Sequence, residues 1–101
     1  MIHKFARYKV KPEKLAEAQE SVREFVATVN AQEPGTIYYA YQERNSFHFY
    51  HIMAFADAEA EKTHRNSTHL KKLMAGLYPI CEEPPRFGDL KLLAGGEKSD
   101  N

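Results

Sequence analysis

Residues 47–56 read F-H-F-Y-H-I-M-A-F-A, an aromatic and β-branched run with apolar side chains at both alternating positions. Successive side chains of an extended strand point to opposite faces. One face then holds Phe47, Phe49, His51, Met53 and Phe55, and the other holds His48, Tyr50, Ile52 and Ala54. A strand with no clearly polar face needs a cover on both sides, supplied by the chain itself or by a partner. With 101 residues there is material for one domain with a modest core, not two.

The flanking segments fill in the rest. Ile2 to Val10 mixes β-branched and aromatic residues with charges on a rough alternation, which predicts a first strand. Pro12 suits a first helical turn, and Leu15, Ala18, Val22, Phe25, Val26 and Val29 recur at helical spacing, predicting an amphipathic helix of about five turns. Asn30 and then Pro34-Gly35 end it. Thr36 to Gln42 (T-I-Y-Y-A-Y-Q) is a second strand, joined to the aromatic run by the polar turn Glu43–Ser46 in a central hairpin.

Asp57 is a good cap for a short helix through His64, and Asn66-Ser67 reads as a break with a fresh cap. A further helix runs from Thr68 with Leu70, Leu73, Met74 and Leu77 along one side. Cys81 to Pro85 is a connection, and Arg86 to Leu93 a last strand weakened by Gly88. Gly95 to Asn101 is a polar tail expected to be disordered, leaving a domain over residues 1–94. The order β-α-β-β-α-α-β predicts an α+β, ferredoxin-like fold: a four-stranded antiparallel sheet with its helices on one face. The other face stays open, and a partner sheet in a homodimer is its simplest cover.

Fourteen Lys+Arg balance fourteen Asp+Glu, so no global positive field gathers phosphates; no nucleic-acid or anionic-membrane partner is expected. The longest uncharged, largely apolar run, Phe47 to Ala56, is half of what a helix needs to cross a bilayer, and the basic residues of the N-terminus are interspersed with apolar ones in a pattern unlike a signal peptide. The lone Cys81 suits a reducing, cytoplasmic setting. Glu82 and Glu83 beside it would raise its pKa, so it is not nominated as a nucleophile.

Phosphate-cradling glycine motifs and HExxH are absent. Five histidines invite a metal reading, yet His48 and His51 point to opposite faces of a strand. His64 and His69 are five apart, about 140° around a continuous helix, and share a metal only if the chain breaks at Asn66-Ser67. With no Cys or carboxylate ligand at matching spacing, neither a metal nor any other cofactor is expected.

The stretch Phe55 to Leu73 (FADAEAEKTHRNSTHLKKL) joins a strand ending in an aromatic, an Asp-Ala-x-Ala helix start, a histidine nine residues past the aromatic, and S-x-H-L-K-K. Together with the E-P-G-T-I-Y-Y start of the second strand and the closing R-F-x-D-L-K-L, it resembles the antibiotic biosynthesis monooxygenase domain family, including its quinol-monooxygenase-like members. That resemblance implies a dimeric α+β barrel with a small-molecule cavity in each protomer between sheet and helices. It also implies oxygenation of a phenolic or quinol-type substrate without metal or flavin. His64 and His69 match the paired histidines of the quinol-monooxygenase-like members. Where those members commonly carry Glu-x-Trp, this chain has Met53-Ala54-Phe55, so that carboxylate is missing. The haem-degrading pattern is absent, since its first-strand Asn, its Trp at position 64 and its His near Met74 are not found.

These readings give a cofactor-independent monooxygenase of a small aromatic or quinol-type metabolite, with His64 and His51 as catalytic candidates and Tyr38, Tyr50, His69 and Arg7 as substrate-binding candidates. A neutral imidazole suits proton transfer near pH 7, a phenol offers a hydroxyl, and an inward Arg would hold an anionic oxygen. The alternatives are a non-catalytic dimeric small-molecule-binding or stress-related module and a haem-binding protein.

Overall fold

The computed structural model describes residues 1–96. Its elements are β1 (Ile2–Lys9), α1 (Leu15–Gln32), β2 (Thr36–Gln42), β3 (His48–Phe55), α2 (Ala58–Arg65), α3 (Thr68–Leu77) and β4 (Arg86–Leu90), with short 3-10 turns at Pro12–Lys14 and Tyr78–Ile80. All strand pairs are antiparallel and the sheet order is β2-β3-β1-β4, a ferredoxin-like α+β fold. The expected polar tail lies, from residue 97 onward, outside the described residues. No described helix is long and apolar enough to cross a membrane.

Strand alternation sorts the sheet into two faces. Tyr38, Phe49, His51, Met53, Phe55, Ala6 and Tyr8 are buried against the helices together with Ala18, Val22, Phe25 and Val29 of α1 and Leu73 and Leu77 of α3. The opposite face leaves Ile37, Tyr39, Tyr41 and Ile52 exposed, Tyr39 at 58%.

Several boundaries differ from the sequence reading, β3 among them, which spans His48–Phe55 rather than the whole aromatic run. α1 runs past Asn30 to Gln32 and stops at Glu33, whose φ of −123° and ψ of 80° leave the helical region that a following proline disfavours. β1 ends at Lys9, and Val10 continues only as a single bridge to Cys81. β4 ends at Leu90 rather than Leu93, because its pairing register sets Leu90 opposite His3, one residue from the start of β1. Gly88 is not only a weak point: a Cβ there would lie 2.3 Å from Phe5 Cε1, so the glycine makes room for that ring. In the hairpin turn Asn45 adopts φ 57°, a left-handed conformation that Asn tolerates.

Candidate functional site

A cavity of about 430 Å³ opens between the sheet and helices α2 and α3. Its sheet wall carries Tyr8, Tyr38, His51, Met53 and Phe55, its helix wall His64, Leu70, Leu73 and Leu77, and its charged residues are Lys4, Glu61, Arg65 and Asp89. Those charges pair with one another: Lys4 Nζ lies 3.5 Å from Asp89 and 4.0 Å from Glu61, and Arg65 lies 3.6 Å from Glu61.

His64 sits near the C-terminal end of α2 and is buried among Phe25, Tyr38 and Phe55. Its Nδ1 is 2.9 Å from Oε1 and 3.0 Å from Oε2 of the buried Glu33. A carboxylate only accepts, so Nδ1 carries a proton and donates it. Nε2 then has no protein partner among the described residues. No fully enclosed side-chain nitrogen or oxygen lacks a partner, so Nε2 reaches open space, and His64 lines the cavity.

Glu33 also accepts from Thr36 Oγ1 at 2.9 Å and from His69 Nε2. Burial pushes its carboxyl upward, but the hydrogen bonds from His69, His64 and Thr36, together with the charge His64 carries when protonated, outweigh it and hold the pKa below the usual value. The break at Asn66–Ser67 makes this arrangement possible. α2 stops at Arg65, Ser67 Oγ accepts from Leu70 N at 3.1 Å to start α3, and both histidines turn to one carboxylate.

The donor atoms of Glu33, His64 and His69 lie within 4.8 Å of one another, a two-histidine, one-carboxylate set able to hold a metal ion. Sequence spacing missed this set because its carboxylate stands 31 residues before His64.

His51 is 2% exposed and sits between two phenols: Tyr8 OH is 2.7 Å from Nε2 and Tyr38 OH is 2.6 Å from Nδ1. Burial lowers its pKa to about 4, leaving the ring neutral at pH 7. Burial also raises both phenols, helped at Tyr8 by Tyr38 and Cys81 and at Tyr38 by Glu33. Cys81 is raised too, but by burial rather than by its acidic neighbours.

Of the six candidates, His51, His64 and Tyr38 come together at the cavity. His69 stands behind Glu33, facing a second cavity of about 290 Å³ shared with Phe25 and Lys72. Tyr50 and Arg7 pair with each other on the opposite sheet face, because each is one residue out of phase with the cavity-facing positions 51 and 8. Tyr8 and Glu33 are the residues that sequence reasoning missed. Alternation with Ala6 and Val10 was the available signal for Tyr8, whereas nothing local marks Glu33.

Residues 1–76 match the antibiotic biosynthesis monooxygenase family. Among solved structures, a candidate antibiotic biosynthesis monooxygenase from Bacteroides thetaiotaomicron is 26% identical with a TM-score of 0.85, covering 98% of this chain and 95% of its own. A second such candidate, from Caulobacter crescentus, is 26% identical at TM-score 0.80 over 92% of this chain and 90% of its own. A Nitrosomonas europaea protein of unknown function is 26% identical at TM-score 0.81 over 97% and 94%. No curated protein matches. With a family match over three quarters of its length and the same sheet-and-helix architecture in its structural neighbours, the chain belongs to the antibiotic biosynthesis monooxygenase family.

Proposed function

We propose that this chain is a cofactor-independent monooxygenase of a small aromatic, quinol-type metabolite, carried by a domain over residues 1–94 and working as a cytoplasmic homodimer. The observation that carries the proposal is the Glu33–His64 pair at an aromatic-walled cavity, with Nδ1 committed to the carboxylate and Nε2 free. His64 Nε2 takes a proton from the bound substrate, and Glu33 stabilises the imidazolium that forms. The resulting electron-rich anion gives an electron to dioxygen, and recombination forms a carbon–oxygen bond. Loss of water then breaks the O–O bond, leaving one oxygen atom on carbon as a carbonyl. The substrate supplies both hydrogens and both electrons for that water, so the step needs no other reductant.

The apolar lining suits this chemistry by keeping bulk water from the anion. Homodimer formation is supported by the exposed Ile37, Tyr39, Tyr41 and Ile52 on the helix-free sheet face. The test is oxygen uptake with a panel of naphthoquinols, with ¹⁸O₂ tracing one atom into product. Uptake above the uncatalysed rate that collapses in His64→Gln supports the reading, and no uptake above that rate with any member of the panel overturns it.

A further inference from the structure

Tyr8, His51 and Tyr38 form a chain of two hydrogen bonds, Tyr8 OH to Nε2 and Nδ1 to Tyr38 OH. The neutral imidazole brings one N–H and each phenol one O–H, so three protons are available for two bonds. One proton is always left over. If Nδ1 carries the ring proton it donates to Tyr38, Tyr8 donates to Nε2, and the Tyr38 hydroxyl proton is unclaimed. In the other tautomer the Tyr8 proton is unclaimed. A charged imidazolium would free both, so the surplus survives either protonation state.

Neither hydroxyl has any other hydrogen-bond partner among the described residues, yet each tyrosine is 6% exposed and lines the cavity. A buried O–H without an acceptor costs free energy that a ligand can recover.

We infer that the Tyr8–His51–Tyr38 chain is a recognition site for an acceptor oxygen, and that the cavity selects ligands carrying a carbonyl or phenolate oxygen against its sheet wall. The ligand chooses the tautomer: an oxygen nearer Tyr8 draws the spare proton there, and one nearer Tyr38 draws it to that hydroxyl. Arg7 and Tyr50 take no part, since they stand on the other sheet face. The inference rests on the cavity of the proposed oxygenase as a binding site but not on turnover.

The experiment compares 1-tetralone, a redox-inert aromatic ketone, with tetralin, the same skeleton without the oxygen, by calorimetric titration of the full chain. In wild type the ratio of tetralin Kd to tetralone Kd is expected to exceed that of the double variant Tyr8→Phe, Tyr38→Phe by about 10-fold or more. Infrared spectroscopy of bound tetralone supplies the second reading, on wild type alone if the double variant fails to fold. Its C=O stretch should move to lower frequency than in an apolar solvent. A ratio unchanged within twofold, an unshifted carbonyl, or no tetralone binding up to its solubility limit overturns the inference. Because tetralone undergoes no oxygenation here, a positive binding result with no oxygen uptake would sink the proposed reaction and leave this site standing.

Discussion

His64 donates its Nδ1 proton to Glu33, a residue 31 positions earlier in the chain, at 2.9 Å from Oε1. The carboxylate fixes the ring's tautomer and leaves Nε2 as an acceptor on the cavity side, the state a general base needs. His64→Gln is therefore expected to lower turnover by about 10² to 10⁴. Glu33→Gln should lower it by about 10² to 10⁴ as well, by analogy with a Ser-His-Asp triad that loses its carboxylate, while leaving KM nearly unmoved because Glu33 does not line the cavity. Either change removes a hydrogen bond to a charged group and should lower stability by about 1.5–3 kcal/mol. Rate and thermal midpoint measured side by side separate the roles: an intact rate with a lowered midpoint would assign the pair to structure.

Stability should fall with acid in two stages. Folded His51 titrates near 4, against the ordinary 6.5. As pH drops from 6.5 the unfolded chain takes up a proton that the folded chain refuses until about 4, so stability declines through that window, by on the order of 3 kcal/mol. Glu33 acts in the same direction further down. Its carboxyl is held below its usual value, so its stabilisation is present above the unfolded carboxylate range and is lost as pH falls through the folded value. Melting curves from pH 7 to pH 3 test this, with His51→Gln expected to flatten the upper stage. Parallel wild-type and variant profiles would contradict it.

Metal content discriminates between two uses of the Glu33, His64 and His69 cluster. Under the cofactor-independent reading, untagged protein should contain no stoichiometric zinc, iron or copper, and chelation should not change activity. One tightly held equivalent that disappears in His69→Ala would show that the three donors are a metal site instead.

Assembly should follow from the helix-free sheet face. The protein is expected to sediment at about twice its chain mass of 11.6 kDa at micromolar concentration. Tyr39→Glu places a charge in the centre of the exposed apolar group and should shift the equilibrium to monomer. A wild-type monomer at these concentrations would end the dimer proposal.

Periodicity made the fold readable. T-I-Y-Y-A-Y-Q gave β2 to the residue, and Asp57 and Ser67 marked helix starts that their cap hydrogen bonds bear out. What periodicity carries is local, and the site is not. Glu33 reads locally as the residue before a helix-ending proline; only the fold brings it to histidines 31 and 36 positions later. Tyr50 stands away from the cavity for a different reason. The alternation that places His51 inward already placed Tyr50 outward, whereas Tyr8, in phase with Ala6, is a phenol that lines the cavity.

The cut at Asn66–Ser67 also bears on how such a site can diverge. A continuous helix would lock residues 64 and 69 about 140° apart. Here the two histidines ride on separately capped segments, Asp57 starting one and Ser67 the other. A one-residue insertion at the cut would therefore re-aim His69 without unwinding the turn that holds His64. One position can thus be re-aimed while the other keeps its post, and Glu33, which stands just ahead of Pro34 and accepts from Thr36 Oγ1, remains their common anchor.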